Sequence, residues 1–132
     1  PIVCVGETAE DLERVGASAV PKSQLEAVMG AIGAEHDIVV AYEPVWAIGS
    51  GTPATPDQAD EVCGVLREVI HAAHGPEKAA ATRILYGGSV KSSNIASFMR
   101  RENIDGALVG GASLDAEQFP PIAQFERHVT ID

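Results

Sequence analysis

The sequence predicts an α/β fold built from four consecutive βα units, and two observations lead to this prediction. Four short apolar runs are continuous rather than alternating, which is typical of parallel strands covered on both faces. Each run is followed by a polar or glycine-rich turn and then by a stretch with helical periodicity, so the crossovers are expected to be right-handed. The predicted strands are Ile2–Val5, Ile38–Tyr42, Ile84–Tyr86 and Ala107–Val109.

The length of 132 residues is compatible with one domain, and we expect residues 1–132 to belong to a single domain. Four βα units could form half of an eight-stranded barrel or a small doubly wound sheet. An open four-stranded sheet would leave two unpaired edges, and the chain begins directly on a strand. We therefore expect the chain to be part of a larger domain.

The helix after the second strand has the clearest boundaries. Thr55 is a good N-cap, Pro56 fits the first helical position and Gln58 completes a capping box. Apolar residues then recur with helical spacing until Gly75-Pro76 ends the helix. We expect Arg67 of this helix to pair with Asp105 in a structural contact.

The remaining helices are predicted from shorter patterns. The first strand is followed by a turn or two over Thr8–Arg14 and by a helix over residues 22–32. A short helix is expected over residues 93–100, with Ser93 as its cap. The last helix is expected over residues 116–127, with its two prolines near the first turn, where a missing N–H is tolerated.

Composition excludes several classes of partner. The formal net charge is −10, so the surface repels phosphate backbones and anionic membranes, and we expect neither a nucleic-acid nor a membrane partner. No apolar run approaches the roughly 20 residues that cross a bilayer. No secretory signal is recognisable at residues 1–6, which favours a cytoplasmic location. The two cysteines, Cys4 and Cys63, match no zinc pattern and are expected to be buried reduced thiols.

Residues 41–51 carry the main indication of chemistry. Glu43 ends the second apolar run, at the carboxyl end of a parallel strand, where active sites of α/β folds lie. Pro44 stiffens the following turn, and Trp46 and Ile48 are large apolar groups on what should be an exposed loop. Such residues are expected where a loop closes over a ligand. We call residues 44–54 the lid and predict proton abstraction by Glu43 beneath it.

Two glycine pairs predict an anion site. Gly87-Gly88-Ser89 follows the third strand and Gly110-Gly111 follows the fourth. Glycine lets backbone N–H groups approach a ligand closely, and neighbouring amides form an anion nest without lysine or arginine. Two such turns after consecutive strands match the phosphate site of (β/α)8 barrels. The four histidines (His36, His71, His74 and His128) are scattered, and we expect no metal site.

These motifs together resemble the triosephosphate isomerase family. The segment Tyr-Glu-Pro-Val-Trp-Ala-Ile-Gly-Ser-Gly is similar to the family's catalytic strand and lid. Tyr86-Gly87-Gly88-Ser89-Val90 and Leu108–Leu114 resemble its two phosphate loops, and Cys4-Val5-Gly6-Glu7 resembles the end of its fifth strand. The resemblance implies the second half of a TIM (β/α)8 barrel, strands five to eight.

The resemblance implies roles for individual residues. Glu43 is the catalytic base that interconverts dihydroxyacetone phosphate and D-glyceraldehyde 3-phosphate, in glycolysis and gluconeogenesis, through an enediolate. The substrate phosphate is bound by the backbone N–H groups of Gly49, Ser89, Gly110 and Gly111, and no cofactor is needed. Two covering groups, Ile48 and Leu108, exclude water from the base. Glu7 is expected to hydrogen-bond Trp46 in one state of the lid.

The family's first half supplies an Asn-x-Lys pair, an electrophilic histidine and most contacts of the homodimer. No residue here matches them, so we expect the isolated chain to be inactive and the electrophiles to come from elsewhere. The alternatives are a non-catalytic phosphate-binding half-barrel and another sugar-phosphate barrel enzyme. The lid segment argues against the last of these.

Overall fold

The computed structural model describes residues 1–127 and contains a parallel four-stranded sheet with helices between its strands. The strands pair in chain order, with registers of Cys4 to Ala41 to Leu85 to Gly106 across the sheet. Their bounds are β1 Ile2–Val5, β2 Val39–Tyr42, β3 Ile84–Tyr86 and β4 Gly106–Ala107. The α/β prediction with a parallel sheet is therefore confirmed, whereas His128 and the residues after it lie outside the described part.

Six α-helices and three 3-10 turns connect and follow the strands within residues 1–127. The helices are α1 Ala9–Val15, α2 Ala19–Ala31, α3 Pro56–His74, α4 Pro76–Ala81, α5 Ile95–Met99 and α6 Phe119–Ala123. The 3-10 turns are Val45–Ala47, Gly111–Leu114 and Phe125–Arg127. None of the helices in this part of the chain is both long and apolar enough to cross a bilayer.

Helix α3 forms as the sequence predicts. The Thr55 hydroxyl accepts the Gln58 N–H at 3.2 Å, and the Gln58 side chain accepts the Thr55 N–H at 3.0 Å, which completes the capping box. The helix ends at Gly75. Its buried residues are Ala59, Val62, Cys63, Leu66, Val69 and Ile70, the stripe that the periodicity indicates.

Several boundaries differ from the predictions. Helix α4 was not predicted, yet a proline at its first position, Pro76, starts a helix without needing an N–H. Helix α2 begins three residues earlier than expected, at Ala19, and α5 is shorter, with Asn94 rather than Ser93 at its N-cap. The last predicted helix is split into α6 and a 3-10 turn, although its prolines do lie in the first turn of α6.

Strand β4 also ends two residues before the predicted Val109. The ladder still continues one bond further, because the Leu108 N–H donates to the Tyr86 carbonyl at 2.9 Å. After that the chain turns into the 3-10 segment that starts at Gly111.

The two faces of the sheet differ in burial, and this corrects the prediction for Cys4. Val40, Tyr42, Ile84 and Tyr86 are fully buried in the core with residues of α2, α3 and α5. Cys4 alternates onto the other face and is exposed rather than buried. Cys63 is buried as predicted, and burial raises the pKa of its thiol to about 12.

Arg67 joins α3 to the loops on either side of β3, which confirms the predicted pairing. Its Nη2 lies 2.6 Å from Asp105 Oδ2, and its Nη1 donates to the carbonyls of Ala79 at 2.6 Å and Thr82 at 3.0 Å. Asp105 in turn accepts the Ile84 N–H at 2.8 Å. One guanidinium group thus connects α3 to the end of α4, to the segment before β3 and to the loop before β4. Arginine is suited to this role because its planar group carries several donors.

Candidate functional site

Glu43 lies where β1 and β2 end side by side. Its N–H donates to the Val5 carbonyl at 2.8 Å, and the next bond of the ladder joins the Val45 N–H to the Glu7 carbonyl at 2.9 Å. The side chain is half-buried and lies across Gly87, where an added Cβ would be only 2.8 Å from Glu43 Oε1. Any larger residue at position 87 would therefore displace the carboxylate, which explains why the loop after β3 begins with glycine.

A cavity of about 370 Å³ opens directly above this carboxylate. It contains all five site residues that the sequence predicts, namely Glu43, Gly49, Ser89, Gly110 and Gly111. The two predicted covering groups, Ile48 of the lid and Leu108 after β4, line it as well. The other lining residues are Gly51, Gly88, Val90, Lys91 and Ala112.

The backbone N–H groups of the four predicted phosphate donors, Gly49, Ser89, Gly110 and Gly111, have no partner within the described part of the chain. The amides of Gly88 and Val90 in the same lining are also unpaired with described residues, whereas that of the neighbouring Gly87 is paired within the fold. Unpaired amides around a concave site are donors for an anion. The cavity thus combines one carboxylate with several free N–H groups.

The backbone at Ser89 is unusual and is held by its surroundings. Ser89 has φ of +56°, the one positive value among the non-glycine residues that the structure describes. Asn94 stabilises this loop, because its Nδ2 donates to the Ser89 carbonyl at 2.9 Å and its Oδ1 accepts the Lys91 N–H at 2.8 Å. A strained backbone at a ligand-binding loop is a common feature of functional sites.

The lid is tied to the loop that carries Ser89. The Ser89 hydroxyl donates to the Ala47 carbonyl at 2.6 Å and accepts the Gly51 N–H at 3.2 Å. The tip of the lid needs glycine at position 49, where φ is +64°. These contacts hold Ile48 and Gly49 at the cavity, so the lid covers the site in this structure.

The far end of the lid is fastened by the buried hydroxyl of Tyr86. This oxygen accepts the Ala54 N–H at 2.9 Å and donates to the Gly88 carbonyl at 2.9 Å. The ring stacks on Phe98 of α5, with centroids 4.2 Å apart. Burial raises the pKa of Tyr86 to about 12, so the phenol remains a donor at neutral pH.

A buried carboxyl group, Glu7, lies beside the first residues of the lid, because its carbonyl accepts the Val45 N–H. Both of its oxygens lie 3.0 Å from the Tyr42 hydroxyl, and burial raises its pKa, partly offset by its hydrogen bonds. The Trp46 indole N–H lies close enough to favour the carboxylate electrostatically, but it makes no hydrogen bond by distance and angle. In this state of the lid, Glu7 is therefore paired with Tyr42 rather than with the predicted Trp46.

Sequence reasoning missed several residues around the site. Cys4 lies beside Glu43, and the pKa of its thiol is raised by partial burial and then by the Glu43 charge. Tyr42 and Tyr86 each end a buried strand with a hydroxyl, and that combination in the sequence indicates a buried hydrogen bond. Nothing in the sequence indicated that Asn94 would hold Ser89.

Comparison with known proteins shows the family of this chain. The triosephosphate isomerase family model matches residues 1–126. The chain belongs to the triosephosphate isomerase family. It is 66% identical over 129 residues to the triosephosphate isomerase of Leifsonia xyli subsp. xyli, a match that covers 98% of this chain and 50% of that protein.

More distant members of the triosephosphate isomerase family give the same result. The enzyme of Lactococcus lactis subsp. lactis is 50% identical over 121 residues, which cover 90% of this chain and 48% of that protein. The enzyme of Streptococcus mutans is 46% identical over 127 residues, which cover 95% and 50% respectively. The chain thus spans about half the length of the curated relatives it matches.

Proposed function

We propose that this chain supplies the proton-transferring and phosphate-binding side of a triosephosphate isomerase active site. The observation that carries the proposal is one cavity that holds a carboxylate, Glu43, together with the free amides of Gly49, Ser89, Gly110 and Gly111. A triose phosphate has the two matching parts, a carbon acid next to a carbonyl and a phosphodianion.

The proposed chemistry is a proton transfer within one substrate. Glu43 takes a proton from the hydroxyl-bearing carbon next to the carbonyl of dihydroxyacetone phosphate, which leaves an enediolate, and returns it to the former carbonyl carbon. A second proton moves from the hydroxyl oxygen to the former carbonyl oxygen, and the product is D-glyceraldehyde 3-phosphate. No atom is gained or lost and no cofactor is required. A glutamate base under a closing loop is the known scheme for triosephosphate isomerases.

Two features of the cavity support this role for Glu43. Ile48 and Leu108 line the cavity beside the carboxylate, so a bound substrate would exclude water from the reacting groups. The lid also carries Gly49 and is fastened to the Ser89 loop. Phosphate contacts on both the lid and the loop would therefore couple ligand binding to lid closure.

We further propose that the chain corresponds to strands five to eight of a (β/α)8 barrel. Within residues 1–127 the sheet has an unpaired edge at β1 and another at β4, and the chain covers about half the length of its relatives. The electrophilic lysine and histidine of the family would then come from outside these residues. The homodimer of the intact family and the cytoplasmic location remain predictions.

The experiment measures isomerisation of glyceraldehyde 3-phosphate by this chain alone and after adding a chain with the family's first four βα units. We expect no turnover alone and turnover after mixing, and the matched variant Glu43→Gln should abolish it in the mixture. Absence of activity in a mixture shown to associate would refute the isomerase proposal and leave a non-catalytic phosphate-binding half. Turnover by the chain alone would refute the requirement for outside electrophiles.

A further inference from the structure

Lys91 is the only lysine or arginine among the described residues that line the cavity. The only acidic residue in the same lining is Glu43. The chain as a whole carries a formal charge of −10, so a dianionic substrate approaches against the overall field. A cation at the cavity would offset part of this unfavourable field at the place where the dianion binds.

The backbone of Lys91 is fixed although its side chain is exposed. Its N–H donates to Asn94 Oδ1 at 2.8 Å, and its carbonyl accepts the N–H groups of Asn94 at 3.2 Å and Ile95 at 3.1 Å. The same Asn94 holds the carbonyl of Ser89. The stem of the lysine is thus anchored within the loop that supplies the predicted phosphate donor.

The ammonium group of Lys91 forms no ion pair with the residues that the structure describes. Five other lysine or arginine side chains are paired with carboxylates, Arg14 with Asp11, Lys22 with Glu26, Arg67 with Asp105, Lys78 with Asp37 and Arg101 with Asp57. An unpaired lysine keeps its full charge available for a ligand and loses no existing contact when it turns toward one.

We propose that Lys91 is a further substrate-binding residue that attracts the phosphodianion to the cavity and contributes to its retention there. This inference rests on the proposed function, because it takes the amide-lined cavity as the phosphate site. The lysine acts as a flexible point charge and does not replace the amides, which fix the position of the phosphate. Its contribution should fall with ionic strength, because the side chain is exposed to solvent.

The chain offers a matched control for this charge. Arg83 is also exposed and also lacks an ion pair with described residues, but it precedes β3, at the opposite end of the sheet from the cavity. Arg83→Met changes the net charge by the same amount as Lys91→Met. A difference in phosphate affinity between the two variants therefore reflects the position of the lost charge and not the change in net charge.

The experiment titrates inorganic phosphate into the wild-type chain and the two variants at several salt concentrations, following the amide resonances of the cavity by NMR. We expect Lys91→Met to weaken phosphate binding roughly three- to tenfold at low salt and to flatten its salt dependence. Arg83→Met should bind like the wild type, and Lys91→Arg should restore most of the affinity. Equal affinities for Lys91→Met and Arg83→Met would overturn the inference.

The outcomes also separate this inference from the proposed function. Lysine-dependent phosphate binding without turnover in the two-chain mixture would support the inference and refute the isomerase proposal. Turnover in the mixture together with a phosphate affinity that Lys91→Met leaves unchanged would support the isomerase proposal and refute the inference about Lys91. If the wild-type chain binds no phosphate, either alone or in the mixture, both are refuted.

Discussion

Replacing Tyr86 by phenylalanine isolates the contribution of one hydroxyl group to closure of the lid. The ring is fully buried and stacks on Phe98 with an interplanar angle of 15°, and phenylalanine keeps that packing. What is lost is one oxygen that bridges the Ala54 N–H and the Gly88 carbonyl, each at 2.9 Å. The substitution therefore removes two buried hydrogen bonds and almost no apolar contact.

The size of the effect follows from those two bonds. A neutral buried hydrogen bond contributes about 1 kcal/mol net, so the free energy of unfolding should fall by about 2 kcal/mol. The bond to Ala54 fastens the lid, and its share of about 1 kcal/mol disfavours closure by about fivefold. Because Gly49 lies on the lid, phosphate affinity should fall by a similar factor.

The assay combines urea unfolding with phosphate titration of the same variant. Phe98→Leu is the control, because it removes the stacking partner but keeps the hydroxyl, and we expect it to lower stability with little change in phosphate affinity. A Tyr86→Phe chain that loses stability yet binds phosphate like the wild type would refute the reasoning. The hydroxyl would then stabilise the core without acting on the lid.

Three further predictions concern the surroundings of the site. Arg67→Met should lower the free energy of unfolding by about 3 kcal/mol, because the Asp105 carboxylate and the carbonyls of Ala79, Thr82 and Asn103 lose their donor. A urea midpoint unchanged from that of the wild type would contradict this. Burial raises the pKa of Glu7 in the folded state above 4.5. The protonated carboxyl therefore stabilises the fold fully below pH 4.5, and this stabilisation is lost as the pH rises through the pKa of the folded state. Relative to Glu7→Gln, wild type should therefore become less stable as pH increases above 4.5, and parallel stability curves for the two would exclude the effect. Asn94→Ala should weaken phosphate binding by about fivefold, because the hydrogen bond that stabilises the positive φ of Ser89 is lost. An unchanged phosphate affinity in an NMR titration would show that the loop keeps this conformation without Asn94.

Local sequence patterns predicted the structure correctly wherever contacts between neighbouring residues determine it. The capping box at Thr55 and Gln58 and the apolar stripe of α3 depend on contacts within a few positions, and both form as predicted. The predicted bounds of the short elements were less accurate. Asn94 rather than Ser93 is the N-cap of α5, and its side chain bonds to the carbonyl of Ser89 instead of capping the helix, a contact that helix propensity does not contain.

The sequence by itself determined the alternation of strands and helices, the place of Glu43 at a strand end and the glycine-rich turns, because each depends on local spacing and chain flexibility. Only the tertiary structure decided that Glu43 and the four amides share one cavity, since they come from separate loops up to 68 positions apart along the chain. Pairing in register places the ends of β2, β3 and β4 side by side, and that pairing brings these loops together. The exposure of Cys4, the Tyr86 bridge to the lid and the free charge of Lys91 likewise depend on which distant groups meet in space.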